Sequence, residues 1–405
     1  MMNPFNNSYG GGGTGSQVSV LGGIDSGSSL PRRKKRPEAR PKIRTACFDD
    51  YERIAALQIR NGLTAKSREE WIGLWADNPA YRLSGGNWPI GWVLETEAAE
   101  IVGYIANVPV ACQFGSRDLK CAVIGSWVTD PGYRGYSMIV LNSVTRQPNV
   151  DLFITNTAGP RAEPSLRVFR WSRVPVGSWD RSCFWITGCL GFSRCALRRR
   201  TDPFPALIAF PLALGLWCGN RFLAACARVR RTGCTVTPCS RFDASFDAFW
   251  EELKQRNSKV LSMVRTRATL EWHFQSALDR HIAWVLAVYA GDHLTAYAIF
   301  DRQDNTRIGL KRVRLVDFQA LENPEAALGS FLLWMLRKCR EEHVHVLECP
   351  GWPREKLVRT GILSPYCRKL DAWRYYYKAN TDELGNVLGA YEAWAPSLYD
   401  GDASL

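Results

Sequence analysis

Apolar positions along the chain change period in a definite order. After about residue 43 they recur at helical spacing (Ile54, Leu57, Ile59, Leu63), with Asp49 and Asp50 placed to cap the helix. A second helix carries Trp71, Leu74 and Trp75 and stops near Asn78-Pro79. The pattern then becomes strand-like over 91–95, turns at 97–99 and returns over 101–106. A third strand, 121–128, leads into the loop Asp130-Pro131-Gly132-Tyr133-Arg134-Gly135. A helix with Met138, Ile139 and Leu141 follows, then a buried strand at 152–155. Helix, helix, antiparallel strands, loop, helix, strand predicts an α+β fold with a mixed sheet.

A weaker copy of this order follows. Phe246, Phe249, Trp250 and Leu253 make a helical stripe, and a second helical stretch ends at 270–274. Strands are expected at 284–288, 294–300 and 309–318, a helix at 324–339 and a last strand at 344–347. Trp92-Val93-Leu94 and Trp284-Val285-Leu286 occupy matching places. The organisation expected is a tail at 1–42, a first unit at 43–190, a connector at 191–240, a second unit at 241–380 and a tail at 381–405.

Charge separates the connector and the first tail from the folded units. The 405 residues carry a net charge of +13, with 46% apolar and 22% charged residues, which excludes a disordered or polytopic membrane chain. Residues 31–45 hold eight basic side chains against Glu38, and 191–231 hold eight against Asp202, so the rest is close to neutral. The first stretch, rich in Gly and Ser before it, reads as a flexible, sticky arm. The second encloses 203–220, eighteen residues without a charge. As one helix they would reach roughly 27 Å, short of a bilayer core, and Pro205 and Pro211 should kink or break it. Basic clusters at both ends also oppose spanning. Three readings stay open for it: an interfacial segment on an anionic membrane surface through 203–231, a buried bridge, or a partner contact.

Thirteen scattered cysteines without a Cys-x-x-Cys pair, and five histidines without ligand spacing, give no metal site. They suit buried thiols in a reducing compartment, so a cytoplasmic chain is expected, peripheral on the inner membrane face if the connector docks. The polar, Gly-rich start resembles no signal peptide.

The most specific local chemistry lies at 127–141. A strand ends at Val128, the chain turns at Pro131-Gly132 and Arg134-Gly135, and a helix begins near Tyr136. Backbone N–H groups at such a turn, beside a helix N-terminus, make an anion nest suited to a diphosphate. Here the chain resembles the GNAT superfamily of N-acyltransferases, and more distantly Fem-type transferases, through Val128-Thr129-Asp130-Pro131-Gly132-Tyr133-Arg134-Gly135 on a strand–loop–helix after a hairpin. The resemblance implies two tandem GNAT-like mixed sheets flanked by helices and joined by the apolar basic connector. It implies acetyl-CoA as co-substrate, gripped by Val128, Thr129, Tyr133, Arg134, Gly135, Tyr136 and Ser137. Set on Arg134, the family's two small positions fall on Ser137 and Ile139. The second copy has the acidic Leu321-Glu322-Asn323-Pro324-Glu325 at the matching place and reads as non-binding for CoA.

Acyl transfer to an ammonium needs a base, and the departing thiolate needs an acid. The family's helix tyrosine has no counterpart in 160–171, which holds Glu163 instead. Asn156, at a strand end beside the loop strand, and Asp317, on the second unit's third strand, are the catalytic candidates. Pairing of Asp317 with Arg312 or Arg314 is its structural alternative. The expected activity is acyl-CoA-dependent N-acyl transfer to a small-molecule, amino-sugar or lipid-linked amine at the cytoplasmic membrane face. A non-catalytic scaffold of the same fold, or a membrane-associated partner protein, is the alternative. Nucleic-acid binding is favoured by net charge alone, and the placement of that charge on a tail and a connector argues against it.

Overall fold

The computed structural model describes residues 40–199, 205–226, 234–362, 365–370 and 373–405, so the basic arm up to residue 39 lies outside the described residues. The first half opens with β1 (Lys42–Thr45), α1 (Tyr51–Arg60), α2 (Arg68–Ala76) and α3 (Pro79–Leu83). Ser67 and Glu70 form a reciprocal capping box on α2, and Asn78 caps α3 with Pro79 at its first turn. Asp50 caps one turn earlier than the sequence suggests: its carboxylate accepts the Cys47 N–H at 2.9 Å and closes a capping box on the 3-10 turn Phe48–Asp50 that runs into α1. The same buried side chain pairs with Arg44 at 2.7 Å and makes no cap bond within α1 itself.

The antiparallel meander β2 (Gly91–Glu95), β3 (Ile101–Phe114) and β4 (Arg117–Thr129) follows, then α4 (Ser137–Thr145), β5 (Leu152–Thr155), α5 (Glu163–Val168), β6 (Ser172–Arg173) and β7 (Arg181–Ile186). Next comes a helical hairpin of α6 (Cys189–Arg199) and α7 (Pro205–Cys226). Pro205 starts α7, where its missing N–H is harmless, and the helix runs on through Pro211. Among the described residues no helix is long and apolar enough to cross a membrane.

The second half contains β8 (Thr237–Cys239), α8 (Ala244–Arg256), β9 (Ser262–Met263), α9 (Arg267–Asp279), β10 (Ala283–Ala290), β11 (His293–Arg302) and β12 (Arg312–Ala320). It continues with α10 (Pro324–Glu341), β13 (Val346–Pro350), α11 (Arg354–Arg359), β14 (Tyr366–Lys369), β15 (Tyr376–Ala379) and α12 (Asp382–Leu388).

Two mixed sheets result, and they trade a strand. The first runs β1-β2-β3-β4-β5-β15-β6, with β9 added beside β3; the second runs β8-β10-β11-β12-β13-β7-β14. Thus β7 of the first half completes the second sheet, against β13 and β14, while β15 of the second half completes the first, against β5 and β6. The units expected at 43–190 and 241–380 are therefore interleaved in space. The tail expected at 381–405 is folded too: Leu384, Leu388, Trp394, Leu398 and Tyr399 are buried in it. These apolar residues outweigh the ordering entropy that a tail would keep.

One core joins the halves, holding α1, α2, α8 and α9 between faces of both sheets. Separate layers cover the far sides, with α4 and α5 on the first sheet and α10 and α11 on the second. Buried charge is paired throughout these layers. Glu348 meets Arg312 at 3.0 Å and also bonds Arg368 and Ser182. Desolvation pushes its pKa up, but the two guanidinium groups prevail and hold it at about 2.

His273 is kept neutral in a similar interior, where loss of solvent lowers its pKa to about 3. Its Nε2 lies 2.9 Å from Ser404 Oγ. Both groups bind fewer protons folded than unfolded, so acid favours unfolding. Thermal unfolding across pH should show stability falling from about pH 6.5 downward through His273 and again below about 4.5 through Glu348. Glu348→Gln should lower stability at neutral pH by about 3–5 kcal/mol, because it leaves two arginines without their carboxylate.

Candidate active site

The site begins where two parallel strands part. β4 and β5 pair only at Cys121 with Leu152, Ala122 with Phe153 and Val123 with Ile154. Beyond Val123, β4 runs on to Thr129 paired with β3 but no longer with β5. A bulge sharpens the divergence: Ser126 and Trp127 oppose the single residue Ile105 of β3, and Ser126 adopts φ +49°. Into the gap opens a cavity of about 430 Å³, walled by residues 123–127 of β4, by Thr155 and Thr157, and by residues 63–66, Trp71 and Leu74. The indole Nε1 of Trp127, on this wall, is buried and has no hydrogen-bond acceptor among the described residues.

One carboxylate faces this cavity at the fork, and it was not foreseen. Asp402 accepts from the backbone N–H of Asn156 at 2.7 Å, from Thr155 Oγ1 at 3.2 Å and from Thr157 Oγ1. It lies against β4 as well, since a Cβ placed on Gly125 would meet the Asp402 Cβ at 3.4 Å. Desolvation dominates these hydrogen bonds and raises its pKa. Lys66 and Glu70 also reach the cavity, and Glu70 is neutralised by Arg280 at 2.5 Å.

The loop after β4 is anchored through Asp130, which receives Arg60 at 3.0 and 2.6 Å and Asn61 at 2.7 Å. Thr129 Oγ1 donates to Ser137 Oγ at 3.3 Å and ties the strand end to α4. Val128 is buried and paired with Tyr104, while Tyr133 and Tyr136 pack on the layer beneath α4. Residues 131–136 form a 3-10 turn that runs into α4. Within it Tyr133 N–H donates to Asp130 and Ser137 N–H to Arg134, so these two amides do not converge on a common point as the nest required. Gly132, Arg134 and Gly135 face outward. Arg134 is exposed, and no atom lies within 4 Å of a Cβ placed on either glycine. Ile139 is only partly buried and does not line the cavity.

The two expected catalytic residues serve as anchors. Asn156 is fully buried and directed away from the cavity; its Oδ1 accepts Ala403 N–H at 2.8 Å and its Nδ2 donates to Leu398 O. Asp317 is fully buried and bound by Arg265 at 2.8 Å, with Tyr297 O–H and Gln319 donating to it. Its partner is neither of the arginines expected: Arg312 pairs with Glu348 and Arg314 with Asp301. In that half β12 and β13 also part, after Arg314 and Glu348, but the gap is filled. Leu398 N–H donates to Val316 O at 3.0 Å, and Asp400 closes the Arg265 cluster at 3.0 Å. Among the described residues no group of three or more His, Cys, Asp or Glu is placed to hold a metal ion.

No family model matches the chain, and no curated protein matches it in sequence. Solved structures match in fold. A GCN5-related N-acetyltransferase from Kribbella flavida superposes with a TM-score of 0.52 at 10% identity, over 84% of this chain and 71% of that one. The N-myristoyltransferase of Saccharomyces cerevisiae, solved with bound myristoyl-CoA, gives 0.52 at 13% identity over 90% and 85%. A GCN5-related N-acetyltransferase from Anabaena variabilis gives 0.50 at 14% over 84% and 73%. The fold is thus the tandem GNAT-like arrangement of two mixed sheets, and identities this low speak for the fold alone.

A Cβ at Gly401 would overlap the Asn156 amide that holds the segment carrying Asp402. Gly401→Ala should therefore destabilise the protein by about 1–3 kcal/mol, measured by denaturant unfolding, and should displace the carboxylate from the fork.

Proposed function

We propose that this chain transfers an acyl group from a coenzyme A thioester to an amine, with the fork between β4 and β5 as the reaction site. The single observation that carries this reading is the carboxylate of Asp402, held in the parting of two parallel strands beside a cavity of about 430 Å³. The fold shared with N-acetyltransferases and with an N-myristoyltransferase supports it. So does the unsatisfied Trp127 Nε1, a donor suited to a carbonyl of an entering thioester arm. Acetyl-CoA is the donor proposed, and a small-molecule, amino-sugar or lipid-linked amine the acceptor.

The thioester supplies the electrophilic carbonyl and the leaving thiolate. Asp402 takes a proton from the ammonium form of the acceptor, and its raised pKa suits it to that role better than an ordinary carboxylate. Thr155, Thr157 and the Asn156 amide hold its two oxygens in place during the transfer. β4 beyond Val123 has no β5 partner, and main-chain N–H groups released there would stabilise an oxyanion as the C–N bond forms; the C–S bond then breaks and the departing thiolate takes the second proton shed by the amine nitrogen. Val128 and Thr129 connect the cavity wall to the loop. There Arg134, with the outward faces of Gly135 and Tyr136 and the first residues of α4, meets the phosphates; Tyr133 and Ser137 shape that turn through their internal hydrogen bonds.

A scaffold without cofactor affinity is the reading favoured by those two occupied amides, and one titration separates the two. Acetyl-CoA at about a hundredfold excess over Kd should stabilise the chain by about 2.7 kcal/mol, and Arg134→Ala should need a higher concentration for the same shift. No shift with acetyl-CoA, myristoyl-CoA or free coenzyme A would establish the scaffold. In an acetyl-transfer assay, Asp402→Asn should lower kcat/KM by about 10²-fold or more. The wild-type rate should climb with pH through the raised Asp402 pKa, and that limb should be missing from the variant.

A further inference from the structure

α7 is built inside out. Its inward seam, at positions 209, 213, 216 and 220, consists of Ala209 and Ala213, both buried, the partly buried Leu216, and Asn220. Asn220 Nδ2 donates to Ile186 O at 3.3 Å, and its Oδ1 accepts from Tyr366 O–H at 3.0 Å. The large apolar side chains point the other way: Phe210 is 67% exposed, Trp217 53%, Leu214 51% and Ile208 46%. A helix packed for its own domain would turn these residues inward. Phe210, Leu214 and Trp217 share one flank of the helix at i, i+4 and i+7 spacing, with Arg221 beside them, and Ile208 and Leu212 (41% exposed) stand on the other flank of the seam.

Charge decides what covers that face. Residues 191–231 carry eight arginines against one aspartate. Arg194, Arg198 and Arg221 are exposed, and the Arg221 guanidinium sits 5.6 Å from the centre of the Trp217 ring. A second copy of this chain would set like charge against like charge. A bilayer with anionic headgroups offers an apolar layer beneath a negative plane, which matches an apolar face bracketed by arginines with a Trp–Arg pair at its rim. We infer that α7 lies in the headgroup region of an anionic membrane, with Phe210, Leu214 and Trp217 inserted and the flanking arginines on the lipid phosphates and carboxylates. The inference deepens the acyltransferase reading, on which it rests for what the docked protein does there: it favours an amine presented at a membrane surface. Docking itself is read without any acyl donor, so either conclusion can fail alone.

The test is flotation of the full chain with vesicles of phosphatidylcholine, with and without phosphatidylserine. The chain should float with the serine lipid and release as salt rises. A Phe210→Ser/Leu214→Ser/Trp217→Ser variant should keep the wild-type melting temperature, because all three residues are exposed, and should lose roughly tenfold or more in partitioning. Arg194→Glu/Arg221→Glu should lose the gain from phosphatidylserine. Equal flotation of wild type and the triple variant would overturn the proposal. So would binding that disappears only when the basic residues at 32–36 are replaced by glutamine, or a wild-type dimer that the triple variant dissociates.

Discussion

Parallel strands that diverge leave buried backbone groups without partners, and the molecule is organised around meeting that demand twice. In the first sheet β5 loses β4 after Ile154, and Asp402 takes the Asn156 N–H while Asn156 takes the Ala403 N–H. In the second sheet β12 loses β13 after Arg314, and Leu398 bonds Val316 O. A single segment, residues 397–403, serves both partings. It fills one with backbone and an ion cluster; to the other it brings the Asp402 carboxylate and main-chain partners for the Asn156 side chain, and that parting stays hollow. An orphaned polar group inside a protein is expensive, so the asymmetry between the halves is fixed by where this segment lies.

The exchange of β7 and β15 holds the two partings in register. Each sheet contains a strand whose covalent origin is the other half, so neither can rotate without breaking a ladder of main-chain hydrogen bonds. Between them Arg265 binds Asp317 and Asp400 while donating to Met263 O, in an interior where it is 2% exposed. Such a cluster adds little net stability over an apolar replacement, but it tolerates few alternative geometries. It fixes the position of the segment whose next residues reach the hollow parting.

Much of the scaffold was legible because local periods encode it. The hairpin of β2 and β3, the β4–loop–α4 passage and the matching order of the second half follow from alternation and helical spacing around turn residues. The exchange was not legible, since Tyr376–Ala379 is a four-residue strand whose partner Leu152–Thr155 lies more than two hundred positions earlier. Asn156 was sought in the right place and on the wrong face: Thr155 and Thr157 line the cavity, and the residue between them must point away. Asp402 sits in a short polar stretch without periodicity, where no local rule distinguishes a site carboxylate from a solvated one. Asp317 was a candidate for its place on the third strand of the second half, with Arg312 or Arg314 as alternative partners, but Arg265, distant in sequence, binds it.

The traded strands also set an order of assembly. During synthesis the β2–β3–β4 meander can form as soon as it emerges, yet its sheet waits for residues 376–379 and its fork for residue 402. Until then the nascent chain holds an open sheet edge and an apolar cleft, both prone to pairing with neighbouring chains. The fork is therefore among the last features to close, and an incomplete chain truncated before residue 376 would lack both the strand and the carboxylate that define it.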